Sequence, residues 1–182
     1  MNVFITGGTG FVGNEVVRQL LIAGHSVHCL VRPGSEGKLR HKKDVILHSG
    51  DTGDVDSLKM GMQGCEAVIH LVGIIREFPG KGITFDLLHT EATKNALEAA
   101  TTCGARRFLQ MSANGTRANA KTGYHRTKWQ AEEAVRASKL DWTIFPEIKP
   151  KRPESKAYRL YVANWGEPHT PPSHRALIDG RP

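Results

Sequence analysis

The stretch VFITGGTGFVGNEVVRQLL, Val3 to Leu21, constrains the fold more tightly than any other part of the chain. An apolar run passes into three glycines at three-residue spacing, Gly7, Gly10 and Gly13, and then into an apolar pattern of helical period. Val12, Val16, Val17, Leu20 and Leu21 fall at i, i+4, i+5, i+8 and i+9, one face of a helix. Gly24 stands where a left-handed C-terminal cap belongs. A strand that turns into a helix through glycines opens a βαβ unit. The early glycines allow a tight turn with no Cβ in the way, and the last lets the helix lie close to the strand. The helix N-terminus then offers free N–H groups and a positive dipole end, a setting for the phosphates of a dinucleotide. The alternative is a glycine-rich turn with no ligand, and the context decides between the two.

That context repeats the theme as far as residue 145. SVHCLVR, DVILHSG, EAVIHLVG, RRFLQMS and DWTIF read as five further strands. Helices are predicted at about Val55 to Met62, Thr84 to Cys103 and Gly123 to Ser138. Alternating strands and helices imply a parallel sheet with helices on both faces, because right-handed crossovers place them there. The expected fold is α/β, a doubly wound parallel sheet of the dinucleotide-binding, Rossmann type, over residues 1–145. Residues 146–182 hold seven of the nine prolines and show no useful period. They read as an irregular, proline-rich tail, loosely packed or disordered, the product of a shifted frame, a truncated gene or a natural short form. A sheet ending at DWTIF is expected to leave apolar surface near Trp142, Ile144 and Phe145, for Tyr158 to Trp165 or a second copy to cover.

Composition narrows the function classes. With 39% hydrophobic and 24% charged residues, the 182-residue chain reads as an ordinary globular domain. No apolar run approaches the roughly 18 residues of a membrane span. MNVFITGG is a strand start without the basic region or cleavage site of a signal peptide. The expected location is cytoplasmic, or peripheral to a membrane complex. Cys29, Cys65 and Cys103 are odd in number and widely spaced, which suits a reducing compartment and builds neither a disulfide framework nor a metal site. His28, His70 and His125 lie at no metal spacing and read as packing or surface residues. The net charge of +7 is spread out, with one cluster at Lys38, Arg40, Lys42 and Lys43. It lacks the aromatic interleaving that stacks bases, so nucleic acid is not an expected partner.

YHRTK is the candidate for the chemistry; standing by itself, without the other motifs, it would read as an ordinary exposed tyrosine and lysine. Tyr124 and Lys128 at i and i+4 share one helix face. A nearby ammonium favours phenolate and lowers a tyrosine pKa from about 10 toward the range useful for proton transfer. Ser112, in MSANG at the end of the fifth strand, is placed to hold a substrate oxygen. The second strand ends at Arg32. An acidic residue there receives the ribose 2′-hydroxyl of NAD, whereas an arginine accommodates the 2′-phosphate of NADP. The reading is NADP(H), with NAD(H) the alternative; capping of the sheet edge, or pairing with an acidic neighbour, is the plain role open to Arg32.

Four stretches in order, TGGTGFVG, GDTGD, HLVG and MSANG with YHRTK, together resemble the short-chain dehydrogenase/reductase superfamily in its extended or atypical branch. LLHTEATKNALEAATTCGARRFLQMSANG is similar to the group that holds the nucleotide-binding accessory subunit of respiratory complex I and its bacterial relatives, NAD(P)-dependent epimerase, dehydratase or reductase-like proteins. The resemblance implies cofactor contacts from Thr6, Gly7, Gly10, Phe11, Val12 and Gly13, and from Arg32. It places Asp51 on the adenine, Leu71, Val72 and Gly73 on the nicotinamide side, and Lys128 on the ribose as well. Ser112, Tyr124 and Lys128 would then act on a small carbonyl or alcohol. His89 takes the place of an asparagine common in the branch; Asn95 matches a second one, with a helix-surface hydrogen bond as its plain role. Extended members continue past this point with an Arg-Pro motif, a strand and a substrate-binding region, and the pattern here departs after Phe145. That departure carries a second reading: a non-catalytic nucleotide-binding subunit or sensor that stabilises a partner complex or homo-oligomer.

Overall fold

The computed structural model describes residues 1–145. The expectations for residues 146–182, including Tyr158 to Trp165, lie outside the described residues. Six strands form one sheet: β1 (Asn2–Thr6), β2 (Ser26–Val31), β3 (Ile46–Ser49), β4 (Ala67–His70), β5 (Arg107–Met111) and β6 (Asp141–Phe145). Every pairing is parallel and the order is β3-β2-β1-β4-β5-β6. The chain moves outward one way through β2 and β3, then crosses over to β4, so the winding reverses between β1 and β4. Ligands of open α/β sheets bind at such a reversal, at the carboxyl ends of the strands.

Strand alternation sorts the core into two faces. Phe4, Val68 and Phe108 are register partners, wholly buried, and share a cluster with Leu58 and Met62 of α2 (Val55–Met62) and Ala96, Ala99 and Ala100 of α3 (Ala92–Thr102). Val135 of α4 (Gly123–Ala137) closes the same cluster, and half-buried Trp142 and Ile144 pack against it. Ile5 points the other way, toward α1 (Phe11–Ile22), where Val16, Val17 and Leu20 are buried. Val12 and Leu21, expected on that face, are half-buried at its margins. Helices therefore cover both faces, as the alternation of elements requires. Cys29 and Cys65 are buried and free, burial pushing their thiols up to about 12 and about 11, which makes them inert.

Two local features depart from the expected plan. The helix expected from Thr84 begins instead as a π-helical stretch, Asp86–Glu91, that runs into α3. The segment between β4 and that stretch folds back on itself through a Phe78–Ile83 bridge around a 3-10 turn, Pro79–Lys81. Among the described residues, no helix is long and apolar enough to cross a membrane, and no group of three or more side chains could hold a metal ion.

Candidate functional site

The glycine loop is built by backbone contact. Gly7, with φ of 77°, lies so close to the β4 exit that a Cβ on it would stand 2.9 Å from the Leu71 carbonyl carbon. A Cβ on Gly13 would stand 2.2 Å from the Gly7 carbonyl oxygen and 2.6 Å from Gly8 Cα. Gly10 caps α1, and a Cβ there would meet only the Gly7 oxygen, at 3.3 Å. The space before the helix is left clear, with Phe11 67% exposed at its rim. The first-turn N–H groups of α1 have no intrahelical acceptors, the dipole is positive there, and no acidic side chain sits in that turn. This cradle fits a pyrophosphate: it is lined by N–H donors, the backbone packing at Gly7 and Gly13 shapes it, and no side chain at Gly10 stands before it.

The segment after β2 is tied to the start of α1 by Asn14, a residue not singled out from the sequence. Its Nδ2 donates to Gly10 O (3.0 Å) and Lys38 O (3.1 Å), while Oδ1 accepts from Arg40 N (2.7 Å). One buried amide thus ties the basic segment to the start of α1, with the side chains of Lys38 and Arg40 exposed. Arg32 is also exposed, immediately past β2. Asp51, past β3, uses Oδ1 to accept from Gly53 N at 2.8 Å, and Asp54 caps α2 through Asp56 N and Ser57 N. Asn95 donates to Thr52 O (2.9 Å), so this asparagine ties α3 to the Asp51 turn.

On the other side of the reversal, Lys128 is 3% exposed. Its Nζ donates to Val72 O (3.4 Å) and Met111 O (3.2 Å), bridging the ends of β4 and β5. A Cβ on Gly73 would come 2.8 Å from that nitrogen. Tyr124, half-buried one turn earlier on α4, stacks edge-on against Phe85, His89 and His125. Val72 and Gly73 thus meet Tyr124's helix at the lysine.

Ser112 is 2% exposed at the end of β5, and its hydroxyl donates to Glu132, with Thr116 Oγ1 at 3.5 Å. Glu132 Oε2 in turn accepts from Arg136 at 2.5 Å. Tyr124, Lys128, Glu132 and Arg136 lie at successive i+4 steps, a stripe that spacing alone could have extended beyond the lysine.

Beneath these residues runs a buried polar row. Thr6, His70 and Gln110 are register partners across β1, β4 and β5. Thr6 Oγ1 is 2.8 Å from His70 Nδ1, and Gln110 Nε2 donates to Met111 O at 3.2 Å. His70 also stacks on Phe108, so it packs in the core as expected. Burial first, then the Lys128 and His89 charges, pulls its pKa down to about 3. His28 pairs with His48 (Nδ1···Nε2 3.0 Å) between β2 and β3, and His125 joins Thr122 and the Asn114 carbonyl.

Residues 7–169 match the family described as NAD(P)H-binding. The chain is 33% identical over 136 residues to a ceramide reductase of Caulobacter vibrioides, covering 75% of this chain and 42% of that protein. It is 36% identical over 138 residues to NADH dehydrogenase [ubiquinone] 1 alpha subcomplex subunit 9, mitochondrial, of Arabidopsis thaliana, covering 72% of this chain and 34% of that one. The chain therefore spans less than half the length of these relatives. Among solved structures, a short-chain dehydrogenase/reductase superfamily protein from Agrobacterium tumefaciens with bound NAD superposes with a TM-score of 0.65 at 25% identity, over 80% of this chain and 48% of that one. The fold, the glycine cradle and the family match agree: the chain belongs to the NAD(P)H-binding family, within the short-chain dehydrogenase/reductase superfamily.

Proposed function

We propose that the protein is an oxidoreductase or epimerase/dehydratase of a small carbonyl or alcohol compound, using NADP(H) in preference to NAD(H). The observation that carries the reading is the buried Lys128 ammonium, held at the Val72 and Met111 oxygens one helical turn from Tyr124. A cation fixed there favours the phenolate of a neighbouring tyrosine, so Tyr124 takes or gives the substrate proton. Gly7, Gly10, Phe11 and Val12 hold the pyrophosphate, with buried Thr6 and Gly13 shaping the loop beneath it, Asp51 lies on the adenine side, and Leu71, Val72 and Gly73 line the nicotinamide side. When bound, the nicotinamide supplies or accepts hydride. With its proton directed to Glu132, Ser112 offers a substrate hydroxyl its lone pairs. Arg32, with the Asn14-tethered Lys38 and Arg40, favours the 2′-phosphate.

Tyr124→Phe tests the chemistry: turnover should fall about 10²-fold or more with cofactor affinity kept. Unchanged turnover would move the acid/base elsewhere. A second reading, a nucleotide-binding subunit of a larger assembly, draws support from the likeness to the Arabidopsis mitochondrial subunit. Tight cofactor binding by a parent protein that turns over no carbonyl or alcohol would favour it.

A further inference from the structure

A π-helical turn is the rarest regular backbone in folded proteins, and it inserts one residue into a helix at the place where some side chain must be re-aimed. Here the turn is Asp86–Glu91, and the side chain it buries most completely is His89, 0% exposed. His89 reaches two other elements at once, and stacks on the residue that precedes its own turn. Its Nε2 lies 3.1 Å from Ile74 N, in the segment leaving β4. Its Nδ1 lies 2.9 Å from Thr127 Oγ1 on α4. Its ring stands edge-on to Tyr124, at 5.3 Å and 88°, and stacks on Phe85 at 5.3 Å and 20°.

The hydrogen-bond pattern around Thr127 favours one form of the ring. Thr127 directs its own proton to the helix carbonyls of Gly123 (2.9 Å) and Tyr124 (3.1 Å), so its oxygen accepts from a proton on His89 Nδ1. In a neutral ring Nε2 is then the lone-pair nitrogen and accepts from the Ile74 N–H. The other neutral tautomer would take the Thr127 proton on Nδ1 and donate from Nε2 to the Ile74 carbonyl, also at 3.1 Å, leaving the Gly123 and Tyr124 carbonyls without that proton; burial first, then the Lys128 charge, pulls the ring's pKa down to about 3 against the Ile74 hydrogen bond, which raises it. Both ring nitrogens are thus engaged, one at the β4 exit and one on α4. The site is also closely nested, since a Cβ on Gly73 would lie 2.8 Å from Lys128 Nζ and 3.6 Å from His89 Nε2.

We propose that His89 is a positioning residue of the Tyr124–Lys128 site: a neutral imidazole that fastens the β4 exit to α4, fixes the Tyr124 ring and so sets the width of the cleft on the nicotinamide side. The last clause rests on the cofactor reading above; the clamp itself does not.

Nuclear magnetic resonance of the full chain tests the clamp without ligand. The His89 ring should be the Nδ1–H tautomer, neutral from pH 8 to pH 5; a protonated or Nε2–H ring in that range overturns the proposal. In His89→Leu the Ile74 amide should exchange at least about tenfold faster while core amides of β1 hold. Unchanged Ile74 exchange overturns it. Calorimetry then compares NADPH with its adenosine half, 2′,5′-ADP. NADPH affinity should drop about tenfold in His89→Leu, the weight of one net hydrogen bond, with 2′,5′-ADP unaffected. His89→Gln, whose amide oxygen can accept from Ile74 N–H, should recover most of the loss. Equal losses for both ligands would make His89 a general core residue and overturn the positioning role. If the parent chain binds neither ligand, the cofactor reading fails, and Ile74 exchange with the ring tautomer still decides the clamp.

Discussion

The Gly7 carbonyl oxygen occupies the ground where a side chain on Gly13 would begin, 2.2 Å from its Cβ position. Both partners are backbone, so neither can rotate away. Gly13→Ala should destabilise the fold by about 2 kcal/mol and abolish dinucleotide binding, whereas Gly10→Ala, with its single 3.3 Å contact, should keep the fold. Urea unfolding beside cofactor calorimetry separates the two effects; equal behaviour of the two variants would contradict the packing argument.

The cofactor preference is expected to follow charge at the adenosine side. Arg32→Asp places a carboxylate suited to a ribose hydroxyl where the guanidinium stood, immediately past β2. The ratio of NADPH to NADH affinity should drop about tenfold or more. A ratio that does not move would assign Arg32 to the sheet edge.

Ser112 and Glu132 form a buried pair, and each satisfies the other. Ser112→Ala leaves a nearly buried carboxylate with Arg136 alone, so it should cost about 1–3 kcal/mol of stability. Glu132→Gln keeps an acceptor for the serine and should cost less. If Ser112→Ala instead leaves the unfolding midpoint unchanged and removes turnover, the hydroxyl serves the substrate alone.

Acid should weaken the domain through its interior imidazoles. His70 and His89 both sit at about 3, chiefly through burial and then the Lys128 charge, against an ordinary value near 6.5. Below that ordinary value the unfolded chain takes up protons that the folded chain refuses. Their contribution is therefore complete above about pH 6.5 and declines as pH falls toward 3, by on the order of 1 kcal/mol per pH unit for each. His28 and His48, lowered by burial, act in the same direction. Denaturant midpoints at pH 7 and pH 5 check this, and His70→Gln should flatten the difference.

The fold was legible because hydrophobic period is a local property. The bounds Val55–Met62 and Asp141–Phe145 were met by the structure to the residue, and the Gly123 helix ends one residue earlier than expected. The approach of Gly73 to Lys128, by contrast, is visible only in the fold, where the β4 exit passes α4. What stayed hidden depends on partners distant in sequence. Asn14 reads as one polar residue on a helix, and only the return of the chain at Lys38 and Arg40 gives its amide a task. Ser112 reads as an open hydroxyl until Glu132 arrives from α4. His89 was masked by the π-turn, which breaks the 3.6-residue phase on which its direction would be judged.

The basic segment has a second neighbour besides α1. It leads into β3, the edge strand of the sheet, a four-residue strand whose Ile46 and Leu47 are 48% and 38% exposed. Lys42, Lys43 and Asp44 stand just before it, separated only by Val45, the kind of charged gatekeepers that keep an apolar edge from recruiting another chain into β-aggregates. Redesign of this loop for a different coenzyme therefore carries a solubility penalty if it neutralises Lys42 and Lys43, and the safer edits are confined to Arg32, Lys38 and Arg40.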